Sequence, residues 1–194
     1  LYLSILQKDS KNIFSNVQFY IKKILNFTAS NSNIMYQLDR IDLKILDELQ
    51  KDSKQSVKSL SEKVGLSITP VHERIKRMEN TGVIQKYVAV ADPKALGKRL
   101  IAYCQVKLLR HSGQLFEEFE KYISNLDEVL EASYMAGSYD FLLKVILNDM
   151  EDYQKFVVQK LSKMEIISNI QSSFVIQQIK NTSLIKSINE EETE

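Results

Sequence analysis

The stretch Ser59–Ile84, SLSEKVGLSITPVHERIKRMENTGVI, decides how this chain is read. Leu60 and Val64 mark the inward side of one short helix, with Val57 just ahead of them and Ser56 as its cap. Gly65 stops that helix, because the residue after a helix commonly needs a left-handed backbone. A second pattern restarts at once. Val71, Ile75 and Met78 fall at i, i+4 and i+7, so a helix is expected from about Thr69 to Asn80, with Ser67 or Ile68 at its entry. Pro70 sits in its first turn, where a missing N–H costs little. Gly82 closes it. Two short helices joined through Gly65-Leu66-Ser67 make a helix-turn-helix.

Working outward, LDRIDLKILDELQ (38–50) supplies a buttressing helix. Asp39 caps it, Asp42 lies in its first turn, and Leu38, Ile41, Ile45, Leu46 and Leu49 form its apolar stripe. The exposed side of the third helix carries Thr69, His72, Glu73, Lys76 and Asn80, flanked by Arg74 and Arg77. That face suits the major groove of duplex DNA. Arg74, Lys76 and Arg77 can neutralise phosphates, and Thr69, His72 and Glu73 lie at the end where recognition helices meet base edges. Ser67 and the N–H groups beside it can hold a phosphate, with Pro70 shaping that entry. The competing reading is a three-helix bundle with a solvated charged face, on which Glu73 pairs with Arg77 at i+4. Clustered basic charge and the turn glycine favour the DNA reading.

Downstream, VIQKYVAVADPKALGK (83–98) reads as a strand, able to act as a small wing, and a hinge linker broken by Asp92-Pro93 and Gly97. Residues 99–180 then alternate: a strand at 101–109, a helix at 112–123, strands at 129–135 and 140–147, a helix at 150–161 with Met150, Tyr153, Val157 and Leu161 inward, and a last strand at 166–179. This is β-α-β followed by β-α-β, a ferredoxin-like sandwich. The fold class expected is α+β: an N-terminal winged helix-turn-helix (38–82) joined to a C-terminal βαββαβ ferredoxin-like domain.

Totals agree with this division. The 194 residues suit two small domains, and 44% hydrophobic residues suffice for cores. Residues 35–100 hold 13 Lys and Arg against 9 Asp and Glu, whereas 101–194 hold 9 against 15. A net charge of +1 therefore hides a basic front and an acidic back. One cysteine, Cys104, fits a reducing compartment and reads as a small buried hydrophobe. No apolar run approaches the ~18 residues of a membrane span, and no secretory signal is evident, so the cytoplasm is the expected location. The two histidines, His72 and His111, lack metal-ligand neighbours, and no nucleophile elbow or phosphate loop occurs. No catalytic residue, metal or cofactor is expected. Residues 1–37 form an extension. Its first 34 residues read either as translated upstream sequence before Met35 or as a helix built on Ile13, Val17, Ile21, Ile24 and Leu25. The acidic tail, 181–194, reads as a solvated end.

Residues 38–180 resemble the Lrp/AsnC family of transcription regulators. LDRIDLKILDELQKD and LSEKVGLSITPVHERIKRMENTGVIQKYVA are similar to that family's DNA-binding domain, including the Ser-x-x-Pro entry at Ser67–Pro70. GSYDFLLKV (137–145) resembles the family's Gly-Asp-Tyr/Phe-Asp loop and the strand after it. The resemblance implies a promoter-binding homodimer, or an octamer assembled as a tetramer of dimers. It also implies a C-terminal domain that assembles the oligomer and senses an amino acid or similar small molecule. The strands support assembly independently. Phe141–Leu147 is apolar on both faces, helices cover one, and a second copy is the simplest cover for the other.

By resemblance, Met135, Gly137, Ser138, Tyr139 and Asp140 lie near the effector pocket. Asp140 can meet an amino group and the N–H groups of 137–139 a carboxylate, with Gly137 allowing an unusual backbone angle. The alternative is a turn in which Asp140 bonds its own loop. Ser138 stands where the family often has Asp, which keeps an effector-independent architectural DNA binder as the second reading.

Overall fold

The computed structural model describes residues 37–110 and 112–186. The expectations for residues 1–34, for His111 and for the tail's last residues lie outside them. Two compact units emerge. One contains residues 37–89 together with 179–186, the other residues 90–178.

The first unit holds α1 (Arg40–Lys51), α2 (Val57–Val64) and α3 (Ile68–Asn80). Their starts follow from local chemistry. Asp39 Oδ1 accepts the N–H groups of Ile41 and Asp42, while Asp42 accepts from the Asp39 N–H, completing a capping box. Ser56 caps α2, and Gly65 ends it at φ 72°, the left-handed value the turn requires. Ile45, Leu49, Leu60, Val71, Ile75 and Met78 form the buried core. Every residue expected inward on the third helix is inward. Residues 179–186 also belong to this unit. Gln50 on α1 and the backbone of Ile185 form a reciprocal pair, Nε2 donating to the Ile185 carbonyl at 2.9 Å and Oε1 accepting its N–H at 2.8 Å.

The second unit holds β1 (Leu100–Leu108), α4 (Gly113–Ile123), β2 (Val129–Tyr134), β3 (Phe141–Leu147), α5 (Met150–Lys155) and β4 (Ile167–Phe174). The sheet order is β2-β3-β1-β4 with every pairing antiparallel. That is the split βαβ arrangement, and the class is α+β as expected. Ala102, Cys104, Val106 and Leu108 of β1 and Phe141, Leu143, Val145 and Leu147 of β3 bury one sheet face against Phe116, Phe119 and Ile123 of α4 and against Phe156 and Leu161. Phe119 and Phe141 meet at 4.3 Å between centroids, a contact that adds roughly a kcal/mol to simple burial. Cys104 is the small buried hydrophobe expected, its thiol pKa raised by burial.

Three expectations fail. Residues 83–90 form no strand. A strand is completed by a ladder partner, and among the described residues this segment has none. Instead the Ile84 N–H bonds the Met78 carbonyl and the Tyr87 hydroxyl bonds Glu79. The helix expected over 150–161 is α-helical only to Lys155. It continues as a π-turn, Phe156–Lys160, in which Leu161 N–H reaches the Phe156 carbonyl. Leu161 is buried as expected and the inserted position brings Phe156 in beside it, while Tyr153 and Val157 are half-buried and Met150, at the helix start, is 53% exposed. The last strand stops at Phe174, not 179. The Val175 N–H still donates to the Ile101 carbonyl, but the ladder ends there, and Ile176 and Ile179 stand exposed. No helix among the described residues is long and apolar enough to cross a membrane.

Candidate nucleic-acid interface

α3 is presented by its core. Val71, Ile75 and Met78 are buried, which leaves Thr69, His72, Glu73, Lys76, Arg77 and Asn80 exposed on the opposite side. Ser67 takes the extended N-cap backbone but makes no side-chain capping bond, and Pro70 is half-buried in the first turn. The turn's amides are thus left without a side-chain cap, and the positive end of the helix dipole opens toward whatever lies in front of Ser67.

Arg74 behaves differently from its basic neighbours. Its Nη1 donates to Asp39 Oδ2 and to Asp42 Oδ1, each at 2.6 Å. Asp42 is fully buried, and the Arg74 side chain is 21% exposed. The two carboxylates raise the guanidinium pKa further, Asp42 contributing most, and Arg74 lowers that of Asp39 behind the larger effect of the Asp42 N–H. The pair therefore fastens α3 to the start of α1. Arg77 Nη2 lies 3.7 Å from the same Asp42 oxygen while its side chain stays 49% exposed. The sequence carried a signal for this. Arg74 lies three residues after Val71 and four before Met78, at the margin of the buried stripe, whereas Lys76 lies opposite.

Around the scaffold, Glu48 accepts from Lys51 of its own helix and from Lys63 of α2; together they push its pKa down to about 2, and the Lys63 contact ties α1 to α2. At the far end of α3, partial burial and the Glu79 carboxylate push Tyr87 up to about 12. This contact fixes the segment after α3 to the helix itself, and sequence reading missed it because the pairing is not periodic.

In the second unit, the loop between β2 and β3 exposes Gly137 and Ser138 and half-buries Met135 and Tyr139. Asp140 is buried. Its Oδ2 accepts the Leu108 N–H at 2.8 Å, its own N–H donates to the Val106 carbonyl, and its carbonyl accepts from Met135. The carboxylate thus fastens the loop to β1, a partner that neither alternative above had named. Gly137 has no left-handed φ and open space around its α-carbon, so the unusual backbone angle expected there is not adopted.

Comparison with known proteins fits this geometry. Residues 38–85 match the winged helix-turn-helix DNA-binding family, and 101–185 match the Lrp/AsnC ligand binding domain. The leucine-responsive regulatory protein of Haemophilus influenzae is 38% identical over 148 residues, covering 76% of this chain and 89% of that protein. The chain belongs to the Lrp/AsnC family. It is a DNA-binding transcription regulator of the Lrp/AsnC type with a ligand-binding domain. The proline dehydrogenase transcriptional activator of Rhizobium radiobacter, another similar protein, is 38% identical over 155 residues, 80% of this chain and 99% of its own length. Among solved structures, an AsnC family regulator from Agrobacterium tumefaciens superposes with a TM-score of 0.73 at 37% identity, over 76% of this chain and 96% of that one. A Neisseria meningitidis transcriptional regulator in complex with L-Met gives 0.73 at 33% identity, over 76% and 95%.

Proposed function

We propose that this Lrp/AsnC regulator binds promoter DNA through the exposed face of α3. Lys76 and Arg77 contact phosphates, Thr69, His72 and Glu73 face base edges, and Ser67 with the first-turn amides of α3 holds a phosphate beside Pro70. Arg74 contributes by holding the helix in place. The observation that carries this reading is the partition of α3, one side buried to the last apolar residue and the other charged, exposed and uncapped at its N-terminus. The chain acts as a homodimer or a larger assembly in the cytoplasm, has no catalytic role, and answers to an amino acid bound near the Met135–Asp140 loop. The L-Met complex of the Neisseria meningitidis relative supports that ligand class.

A promoter-fragment shift assay across salt concentrations tests the interface. The Lys76→Ala/Arg77→Ala variant is expected to bind more weakly, with the slope of log affinity against log salt reduced by roughly 1.8 for two lost phosphate contacts. Equal retention of variant and parent removes α3 from the interface. A second reading, an effector-independent architectural binder, draws on Ser138 in place of an acidic residue and on Asp140 turned inward to β1. A thermal-shift screen of the twenty amino acids with no response favours it.

A further inference from the structure

On the three helices, among the described residues, one large apolar side chain is more than half exposed: Ile68, at 51%. It is the first residue of α3, between exposed Ser67 and exposed Thr69. Every other large apolar residue of α1, α2 and α3 is buried or half-buried. A single exposed apolar residue on a surface is ordinary. The position of this one is what gives it meaning. The opening residues of a recognition helix are those that approach base edges in the major groove. The apolar group displayed there by a base is the C5-methyl of thymine. A β-branched side chain is stiff about χ1, so its methyls are presented in a fixed direction with little entropy left to lose on contact.

We infer that Ile68 is a specificity-determining residue that reads a thymine methyl by van der Waals contact in the major groove, alongside the Thr69 methyl. This rests on the proposed α3 interface, and the experiment separates failure of one from failure of the other. Duplexes that bind the full-length chain are first enriched from a randomised library. No enrichment of any sequence counts against the DNA-reading function itself. Each thymine of the enriched site is then replaced by deoxyuridine, which deletes only the methyl, and affinities are measured for the parent and for Ile68→Ala and Ile68→Val. For the parent, loss of one methyl in contact is expected to weaken binding about fourfold, the change that corresponds to burying one methyl-sized apolar group. Ile68→Ala is expected to weaken binding to the thymine site by a similar factor and to be indifferent to the deoxyuridine change. Ile68→Val is expected to keep most of the sensitivity. The inference is overturned if no single replacement alters parent binding, or if Ile68→Ala keeps the parent's sensitivity. It is overturned equally if Ile68→Ala changes the sedimenting species without changing thymine dependence, since Ile68 then packs against another copy.

Discussion

Replacing Arg74 by Met should loosen the DNA-binding unit before it touches DNA affinity directly. Asp42 is fully buried and accepts from Arg74 at 2.6 Å. Removing one partner of a buried ion pair typically costs about 3–5 kcal/mol, because the other charge is left without compensation. Two features reduce the figure here. Arg74 keeps some contact with water, and Arg77 already lies 3.7 Å from Asp42 and can swing in. The pairing with half-exposed Asp39 adds only a fraction of a kcal/mol, as surface pairs do. The expected cost is therefore about 2–3 kcal/mol, or roughly a hundredfold rise in the open fraction. With two units, one melting curve does not isolate this effect. Amide hydrogen exchange read by peptide does. Peptides from α1 and α3 should exchange about a hundredfold faster while peptides from β1 and β3 stay unchanged. Adding Asp42→Asn to Arg74→Met should restore part of the protection, since the amide oxygen still accepts the Asp39 N–H without a buried charge. Unchanged protection in α1 and α3 together with lost DNA binding would refute the reasoning, and Arg74 would then be a phosphate contact.

Asp140→Ala should lower the thermal midpoint, because the buried Leu108 N–H loses its acceptor at a cost of about 1–3 kcal/mol. An unchanged midpoint combined with loss of an amino-acid response would place Asp140 at the ligand instead. Acid should weaken the helical unit in a defined window. Glu48 is depressed from 4.5 to about 2, so its unfolded form takes up protons first. Its stabilising contribution is present above that ordinary value and is lost as pH falls from there through about 2. Asp39, also depressed, acts in the same direction. Urea midpoints measured between pH 5 and pH 2, followed through α1 and α2 peptides, should fall steadily, and Glu48→Gln should flatten that fall. An equal slope in the variant would remove Glu48 from the explanation.

The helical half was legible because its signals are local. Asp39, Ser56 and Gly65 act within a turn of themselves, and Val71, Ile75 and Met78 declare a face by spacing alone. The strand order of the second unit followed from the alternation of elements, since short antiparallel connections leave few topologies. What was not legible depends on partners. Residues 83–90 and 175–179 have the composition of strands, but pairing is a property of two segments. The π-turn at Phe156–Lys160 changes which residues face the core by a single inserted position, and periodicity cannot register it. At the site, residue type identified the cations of α3 but not their engagements. Helical spacing sets Arg74 at the margin of the buried stripe and Lys76 opposite it, but only the fold shows the two carboxylates that Arg74 meets.

That assignment bears on how the regulator can bind at all. With Arg74 committed and Arg77 shared with Asp42, the proposed α3 interface of one chain would offer about two phosphate contacts, a salt slope near −1.8. Two contacts give little affinity at physiological salt, where known DNA-binding proteins typically make several. Two copies presenting α3 together would double the slope to about −3.6 and multiply, not add, the affinities of the single helices. The sheet face away from α4 is compatible with this. Leu142 and Ile146 lie on it beside Tyr103, Gln105 and Lys144, a mixed set in which Ile146 is buried and the others are half-buried. The assembly proposed above, through the second unit, would make the sparse cationic face of α3 sufficient, and a measured slope near the single-copy value would separate DNA binding from assembly.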